Sequence, residues 1–302
     1  VFDWREHPDR LNLGCGFDHR EGYTNVDFQD FHHPDLLADV RELGMLPSNH
    51  YSEILAIDCL EHLPRTDTAR ALAEWFRLLA PGGVIRLRTP EFFGIASMMG
   101  AAASADEQLG VVQCLFGTQA YTGDFHQTCF TPLTMVHHLC DAGFADASVG
   151  VLQGWLLDAQ ARKPEVDEVD RIGVAWQGGV HDLESSAERR PWRWCADRGE
   201  IVVLNPGQRP VRARLCAEVE APARRRHSLL WVEAPGSRLR THVGRRPAPL
   251  SVRLDLPPGI SRVRLRTDAP ALRAEHDRRR LHLRLTEPRV ELERAAVAVA
   301  AG

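Results

Sequence analysis

The sequence predicts a chain in two parts: an α/β unit built on a parallel sheet, followed by an all-β sandwich. Three observations carry that expectation. The first half alternates short apolar runs with amphipathic helical segments, whereas the second half alternates apolar and polar residues one by one. The charge changes sign between the halves: residues 1–200 carry 16 Lys and Arg against 31 Asp and Glu, and residues 201–302 carry 21 against 10. A chain of 302 residues is also longer than one core usually serves.

Residues 11–13 form a first strand, residues 23–26 a second, "LLADV" (36–40) a third and "SEILAID" (52–58) a fourth. "TDTARALAEWFRLLAPGG" is a helix, because Leu72, Trp75, Phe76 and Leu79 recur at helical spacing on one face. Arg70 and Glu74 lie four apart on the other face, Thr66 or Asp67 can cap the start, and Pro81-Gly82-Gly83 stop the helix. "VIRLRTP" (84–90) follows as a fifth strand, residues 131–144 as a second helix and "ASVGVL" as a further strand. Such alternation builds a parallel sheet covered on both faces.

In the second half, "VRARLCAEV" (211–219) points Val211, Ala213, Leu215, Ala217 and Val219 one way, and Arg212 and Arg214 the other. "PLSVRLDL", "SRVRLRTD", "RLHLRL" and "RVELER" repeat the pattern, with turn signals such as "NPGQRP", "APGS" and "LPPG" between strands. The charged, then glycine-rich "QARKPEVDEVDRIGVAWQGGV" reads as the connection and sets the expected units at 1–177 and 178–302.

Composition excludes several classes. No run approaches the ~18 apolar residues of a membrane span. The opening "VFDWREHPDR" has neither the basic nor the apolar segment of a signal peptide. Seven cysteines without a C-x-x-C pair read as reduced thiols, not a disulfide frame or zinc site, so the expected location is the cytoplasm. Aromatics interleaved with basic residues are few, so no nucleic-acid partner is expected.

"RLNLGCGFDHREGYTNVDF" (10–28) carries the first chemistry. Gly14 and Gly16 sit where a strand becomes a loop, and glycine there lets backbone N–H groups approach a ligand with no Cβ between. Asp27, ending the next strand, can accept two hydrogen bonds from a ribose diol. A tight turn and a surface aspartate would read the same. A dinucleotide fingerprint needs a third glycine, and "GCGFDH" offers an acid instead; no G-K-[ST] of a P-loop occurs either. A ligand with a ribose and no phosphate fits this loop best.

With these residues stands a resemblance. "LNLGCG…GYTNVD…ADVRELGMLP…YSEILAIDCLEHLP…ALAEWFRLLAPGGVIRLRTPEF" resembles the class I methyltransferases dependent on S-adenosylmethionine, and more closely the small ones encoded with sugar and surface-polysaccharide biosynthesis. The likeness runs from about residue 10 to 150. It implies a Rossmann-like sheet, with S-adenosyl-L-methionine as cofactor and S-adenosyl-L-homocysteine as product. It further implies that Asn12, Gly14, Cys15 and Gly16 cradle the methionyl part and that Asp27 holds the ribose. By the same likeness Asp39 and Val40 meet the adenine, and Asp58 and Cys59 lie beside the reactive methyl.

Methyl transfer to a hydroxyl needs an aligned nucleophile and a base. His126 in "GDFHQTCFTP" and Asp58 are the candidates, with His62 in "LEHLP", Tyr121 and Glu91 as further lining; each could instead serve only packing or turn geometry. Neighbouring His137 and His138 face different ways on a helix, and no metal ligand is assigned. The second half, with "WRW" (192–194) and "DRRRL" (277–281), resembles β-sandwich modules appended to bacterial polysaccharide enzymes. The expected acceptor is therefore a sugar, nucleotide sugar or glycan hydroxyl, with the sandwich binding glycan, docking to glycan-assembly enzymes or capping the first unit. The alternatives are another small metabolite or a lipid as acceptor, or a non-catalytic glycan-binding scaffold that keeps the cofactor site.

Overall fold

In the computed structural model, residues 2–165, 170–222, 228–274 and 277–293 are described. The chain divides into two compact units, Val1–Val169 and Asp170–Gly302, a few residues before the position expected from composition.

The first unit contains β1 (Arg10–Leu13), β2 (Thr24–Asp27), β3 (Leu36–Leu37), β4 (Tyr51–Ile57), α1 (Thr68–Leu78), β5 (Leu79–Pro90), α2 (Phe92–Ala101), α3 (Ala105–Phe116), α4 (Pro132–Asp141), β6 (Ala145–Leu152) and β7 (Leu156–Arg162). Its strands lie in the order β3-β2-β1-β4-β5-β7-β6. The sheet is not wholly parallel as expected, because β7 runs antiparallel to both β5 and β6. The reason lies in the connection: three residues join β6 to β7, and so short a link allows only a hairpin, not a crossover. β7 occupies sequence that composition assigns partly to the inter-unit connection.

The central strands are buried on both faces, as apolar runs such as "LNL" and "EILAI" require. α1 covers one face with Ala71, Leu72, Trp75 and Leu78. Trp75 is wholly buried, and its indole N–H donates to the Val40 carbonyl at 2.9 Å, so the helix holds the loop after β3. Asp67 stands at the helix N-cap, but its carboxylate binds Arg41 instead of capping. Arg70 and Glu74 do not pair with one another; Arg70 meets Glu42, and Glu74 meets Arg77 and the Leu43 N–H. The helix ends one residue before the expected Leu79, which already pairs with Tyr51 in the sheet; the strand then bulges through Pro81-Gly82-Gly83 before Val84 meets Glu53. Lys163, the one lysine of the chain, donates to the carbonyls of Phe76 and Leu79 and to Asn49 Oδ1, closing the C-terminal end of α1.

Two helices escape the periodicity reading. α2 begins at Glu91, whose carboxylate accepts from the Gly94 N–H at 2.6 Å, and α3 begins with a capping box between Ser104 and Glu107. Neither has a strong apolar stripe: Phe92, Phe93, Leu109, Val112 and Phe116 stay exposed.

The second unit contains β8 (Gly173–Gln177), β9 (Val180–Ser186), β10 (Arg189–Cys195), β11 (Arg198–Asn205), β12 (Val211–Glu220), β13 (Ser228–Ala234), β14 (Ser237–Val243), β15 (Ala248–Leu256), β16 (Gly259–Thr267), β17 (Leu272–Ala274), β18 (Asp277–Leu281) and β19 (Leu283–Leu292). Within it, antiparallel strands run in the orders β14-β13-β16-β11-β8 and β15-β12-β19-β10-β9, and β17 pairs with β18. The alternation read at 211–219 is realised: Val211, Ala213, Leu215, Ala217 and Val219 join Val203, Val232, Val252 and Leu265 in one core shared by both sheets. The end of "RLHLRL" and the start of "RVELER" belong to one strand, β19, from Leu283 to Leu292. The break falls at His282, whose ring Nδ1 donates to the Ala269 carbonyl at 2.7 Å.

Candidate active site

The order of the first sheet reverses at β1, with β2 on one side and β4 on the other, and ligands bind beyond the carboxyl ends of parallel strands at such a point. Gly14 and Gly16 follow β1 there with φ of 63° and 49°. A Cβ on Gly14 would lie 2.6 Å from Cys59 Sγ and 2.9 Å from its Cβ, so only glycine lets the loop cross the end of β4. A Cβ on Gly16 would meet nothing within 4 Å, so the space beside that position is open.

Asp27 is buried at the end of β2. Its Oδ2 accepts from the Gly16 N–H at 2.9 Å and its Oδ1 from the Gln29 N–H at 2.8 Å. Each oxygen keeps a second lone pair, enough for a vicinal diol. His32 lies 3.1 Å from Oδ1 through Nδ1, out of line for a hydrogen bond, and its buried ring has no hydrogen-bond partner among the described residues. Phe17, Phe31 and Tyr121 surround that ring, with centroids 4.7, 4.2 and 5.7 Å away. Sequence reasoning named Tyr121 as lining but missed that it gathers with Phe17 and Phe31 around His32, since a ring cluster assembled from residues 17, 31 and 121 has no local spacing.

The other expected cofactor residues divide. Cys15 is buried behind the loop, its N–H on the Val26 carbonyl, and burial pushes its thiol up to about 12. The Asn12 side chain is spent inside the protein, donating to the Asp18 carbonyl and Asn25 Oδ1. Asp39 is clasped by Arg41, whose guanidinium also reaches Asp67; these hydrogen bonds hold the Asp39 carboxyl below the usual range. Val40 is buried and tied through its carbonyl to Trp75.

Beyond β4, Asp58 adopts φ 50° and its N–H bonds the Arg88 carbonyl. Burial raises its carboxyl pKa, opposed by the charges of Arg88 and His126. Cys59 is buried, and desolvation drives its thiol well up, so it is a packing group. The next turn, Leu60–His62, presents Glu61 and His62. Glu61 is 1% exposed, neither carboxylate oxygen is hydrogen-bonded among the described residues, and burial, then Asp58, raise its pKa well above normal. His126 arrives from the segment before α4: its Nδ1 lies 3.2 Å from the Cys114 carbonyl and its ring meets that of His62 edge to face at 4.7 Å. The structure thus brings Asp58, His62 and His126 together as one cluster and adds Glu61. Glu91 instead caps α2. Glu61, whose pKa is raised, and the two imidazoles together can take up a proton or a cation.

Residues 13–87 match the family model described as a methyltransferase domain. No curated protein matches the chain. Among solved structures, the chain resembles a Bordetella parapertussis protein described as a possible exported protein, at 14% identity and TM-score 0.39, with 52% of this chain and 63% of that one covered. It also resembles a SAM-dependent methyltransferase from Archaeoglobus fulgidus, at 12% identity and TM-score 0.38, covering 53% and 88%. A third likeness is to an S-adenosylmethionine-dependent methyltransferase from Mesorhizobium loti, at 20% identity and TM-score 0.36, covering 51% and 90%. Residues 13–87, which carry the glycine loop, Asp27 and the turn after β4, are thus similar to a methyltransferase domain.

Proposed function

We propose that this enzyme methylates a hydroxyl of a sugar, nucleotide sugar or glycan, with S-adenosyl-L-methionine as donor. The observation that carries the reading is the loop and carboxylate pair: Gly14 and Gly16 open the end of β1, and Asp27 stands ready for a ribose diol. The donor supplies an electrophilic methyl on a sulfonium and leaves as S-adenosyl-L-homocysteine. Asn12, Cys15 and Val40 serve by holding the shape of the cofactor site, and Asp39, oriented by Arg41, marks its adenine end. The acceptor oxygen bonds to the methyl carbon as the carbon–sulfur bond breaks, and the hydroxyl proton goes to the Asp58–His126 pair. Asp58 suits the task because burial raises its affinity for a proton.

The second unit reads as a β-sandwich module for an acidic glycan or sugar phosphate. Across four adjacent strands, Arg198, Arg266, Trp231 and Arg240 lie in register, with no acid in that row. The neighbouring row alternates Glu200, Arg264, Glu233 and Arg238 and neutralises itself. The Arg240 and Arg266 guanidinium carbons lie 6.0 and 5.5 Å from the Trp231 ring centroid, giving a stacking platform between cations. Such a surface also suits docking within glycan assembly. All seven cysteines are free, which supports the reading of a reducing, cytoplasmic location; among the described residues no helix is long and apolar enough to cross a membrane.

The test is transfer of labelled methyl to a panel of sugar nucleotides, glycans, lipids and small metabolites. Turnover is expected on a sugar-containing acceptor, with Asp58→Asn lowering kcat about 100-fold or more while cofactor binding persists. Turnover only on a lipid or other metabolite overturns the acceptor, and donor binding without any turnover supports the scaffold. For the second unit, Trp231→Ala is expected to weaken retention on an acidic glycan about tenfold, read by affinity electrophoresis; unchanged retention removes the platform.

A further inference from the structure

We propose that Glu61, His62 and His126 form a binding site for one divalent first-row transition-metal ion beside the acceptor. One ligand atom from each residue lies within 4.8 Å of the others. Atoms sharing a tetrahedral ion at about 2.1 Å stand ~3.4 Å apart, so side-chain rotations that close any pair by up to about 1.4 Å complete the site.

The frame is already locked. The Gln127 and Thr128 N–H groups both donate to the Glu61 carbonyl, at 2.8 and 3.2 Å, and Gln127 Nε2 donates to the His62 carbonyl at 2.8 Å. The turn bearing Glu61 and His62 is thereby fixed to the segment bearing His126. Because the Cys114 carbonyl can only accept, His126 Nδ1 carries its hydrogen, and Nε2 keeps the lone pair a metal needs.

Independent of this spacing is the state of Glu61. A carboxyl group 1% exposed, with neither oxygen finding a donor among the described residues, is a costly arrangement, and the Nδ1 atom of half-buried His62 is likewise inaccessible and without a hydrogen-bond partner among them. One cation satisfies both. One carboxylate with two imidazoles favours manganese, iron, cobalt or zinc over magnesium or calcium, which prefer oxygen.

The ion's role rests on the methyl-transfer reading, although its binding does not. The acceptor hydroxyl would bind the ion, Asp58 would take its proton, and the oxygen would attack the methyl carbon as the sulfur leaves with the bonding pair. With the ion bound, His126 would give its Nε2 lone pair to the metal, so that of the Asp58–His126 pair Asp58 alone takes the proton.

The experiment uses the full chain after chelation, titrated with Co²⁺ and followed by visible absorption and by hyperfine-shifted proton resonances. Saturation at one equivalent is expected, with two exchangeable imidazole N–H signals in the wild type and one in His126→Ala. Glu61→Gln is expected to raise the Co²⁺ dissociation constant at least tenfold. Absence of d–d absorption in the wild type overturns the site, as does equal affinity in folded variants. Should the variants fail to fold, the wild-type count of shifted signals decides. S-adenosylmethionine titrated into the same samples separates the two readings: lost donor binding with intact Co²⁺ spectra defeats methyl transfer alone.

Discussion

Replacing Asp27 with alanine is expected to weaken S-adenosylmethionine binding about 10- to 100-fold, as measured by calorimetry. The ribose hydroxyls would lose a charged acceptor, and hydrogen bonds to charged groups contribute roughly 1.5–3 kcal/mol each. The loop suffers as well, because the Gly16 and Gln29 N–H groups now converge on Asp27 and would lose that partner. Circular dichroism at the temperature of the titration distinguishes a folded, weak binder from an unfolded one. Wild-type affinity in the variant would remove Asp27 from the cofactor site.

Gly14→Ala is expected to reduce donor binding by a similar factor and to lower stability by about 2 kcal/mol or more. Two costs combine: a φ of 63° strains any residue with a Cβ, at about 1 kcal/mol, and the added carbon would lie 2.6 Å from Cys59 Sγ. The costs are separable. In Gly14→Ala/Cys59→Gly the collision disappears and the strain remains, so the double variant is expected to be more stable than the sum of the single effects by about 1–2 kcal/mol. Urea denaturation of the four proteins of that cycle measures the coupling. Additive effects would mean that Cys59 does not set the loop's path.

How far each element could be read depended on where its stabilising partners lie. α1 was legible because Leu72 and Trp75 share one face and bury it, so the spacing of the sequence is the packing. β12 was legible for the corresponding reason at a period of two. α2 and α3 were not, because several of their apolar side chains stay exposed and leave no strong stripe. The reversal of β7 was hidden in a turn of three residues, between strands whose own composition suits either direction.

The site divides along the same line. The glycines, Asp27 and the turn after β4 are short-range features, since a strand end and its loop need only adjacent residues. Asp39 and Asp67 could not be placed so, because Arg41 draws both carboxylates to itself. The proximity of Glu61 to His126 likewise depends on the backbone hydrogen bonds of residues 127 and 128 to the turn after β4.

The sequence by itself determined the alternating strands and helices of one unit, the strict alternation of the other, and the glycine-loop and carboxylate pair. These follow from local periodicity and backbone freedom. Only the tertiary structure decided the direction of β7, the row of Arg198, Arg266, Trp231 and Arg240, and the burial of Glu61 against two imidazoles. Each of these joins residues far apart in the chain, and their distances are set by strand pairing and desolvation, neither of which leaves a spacing in the sequence.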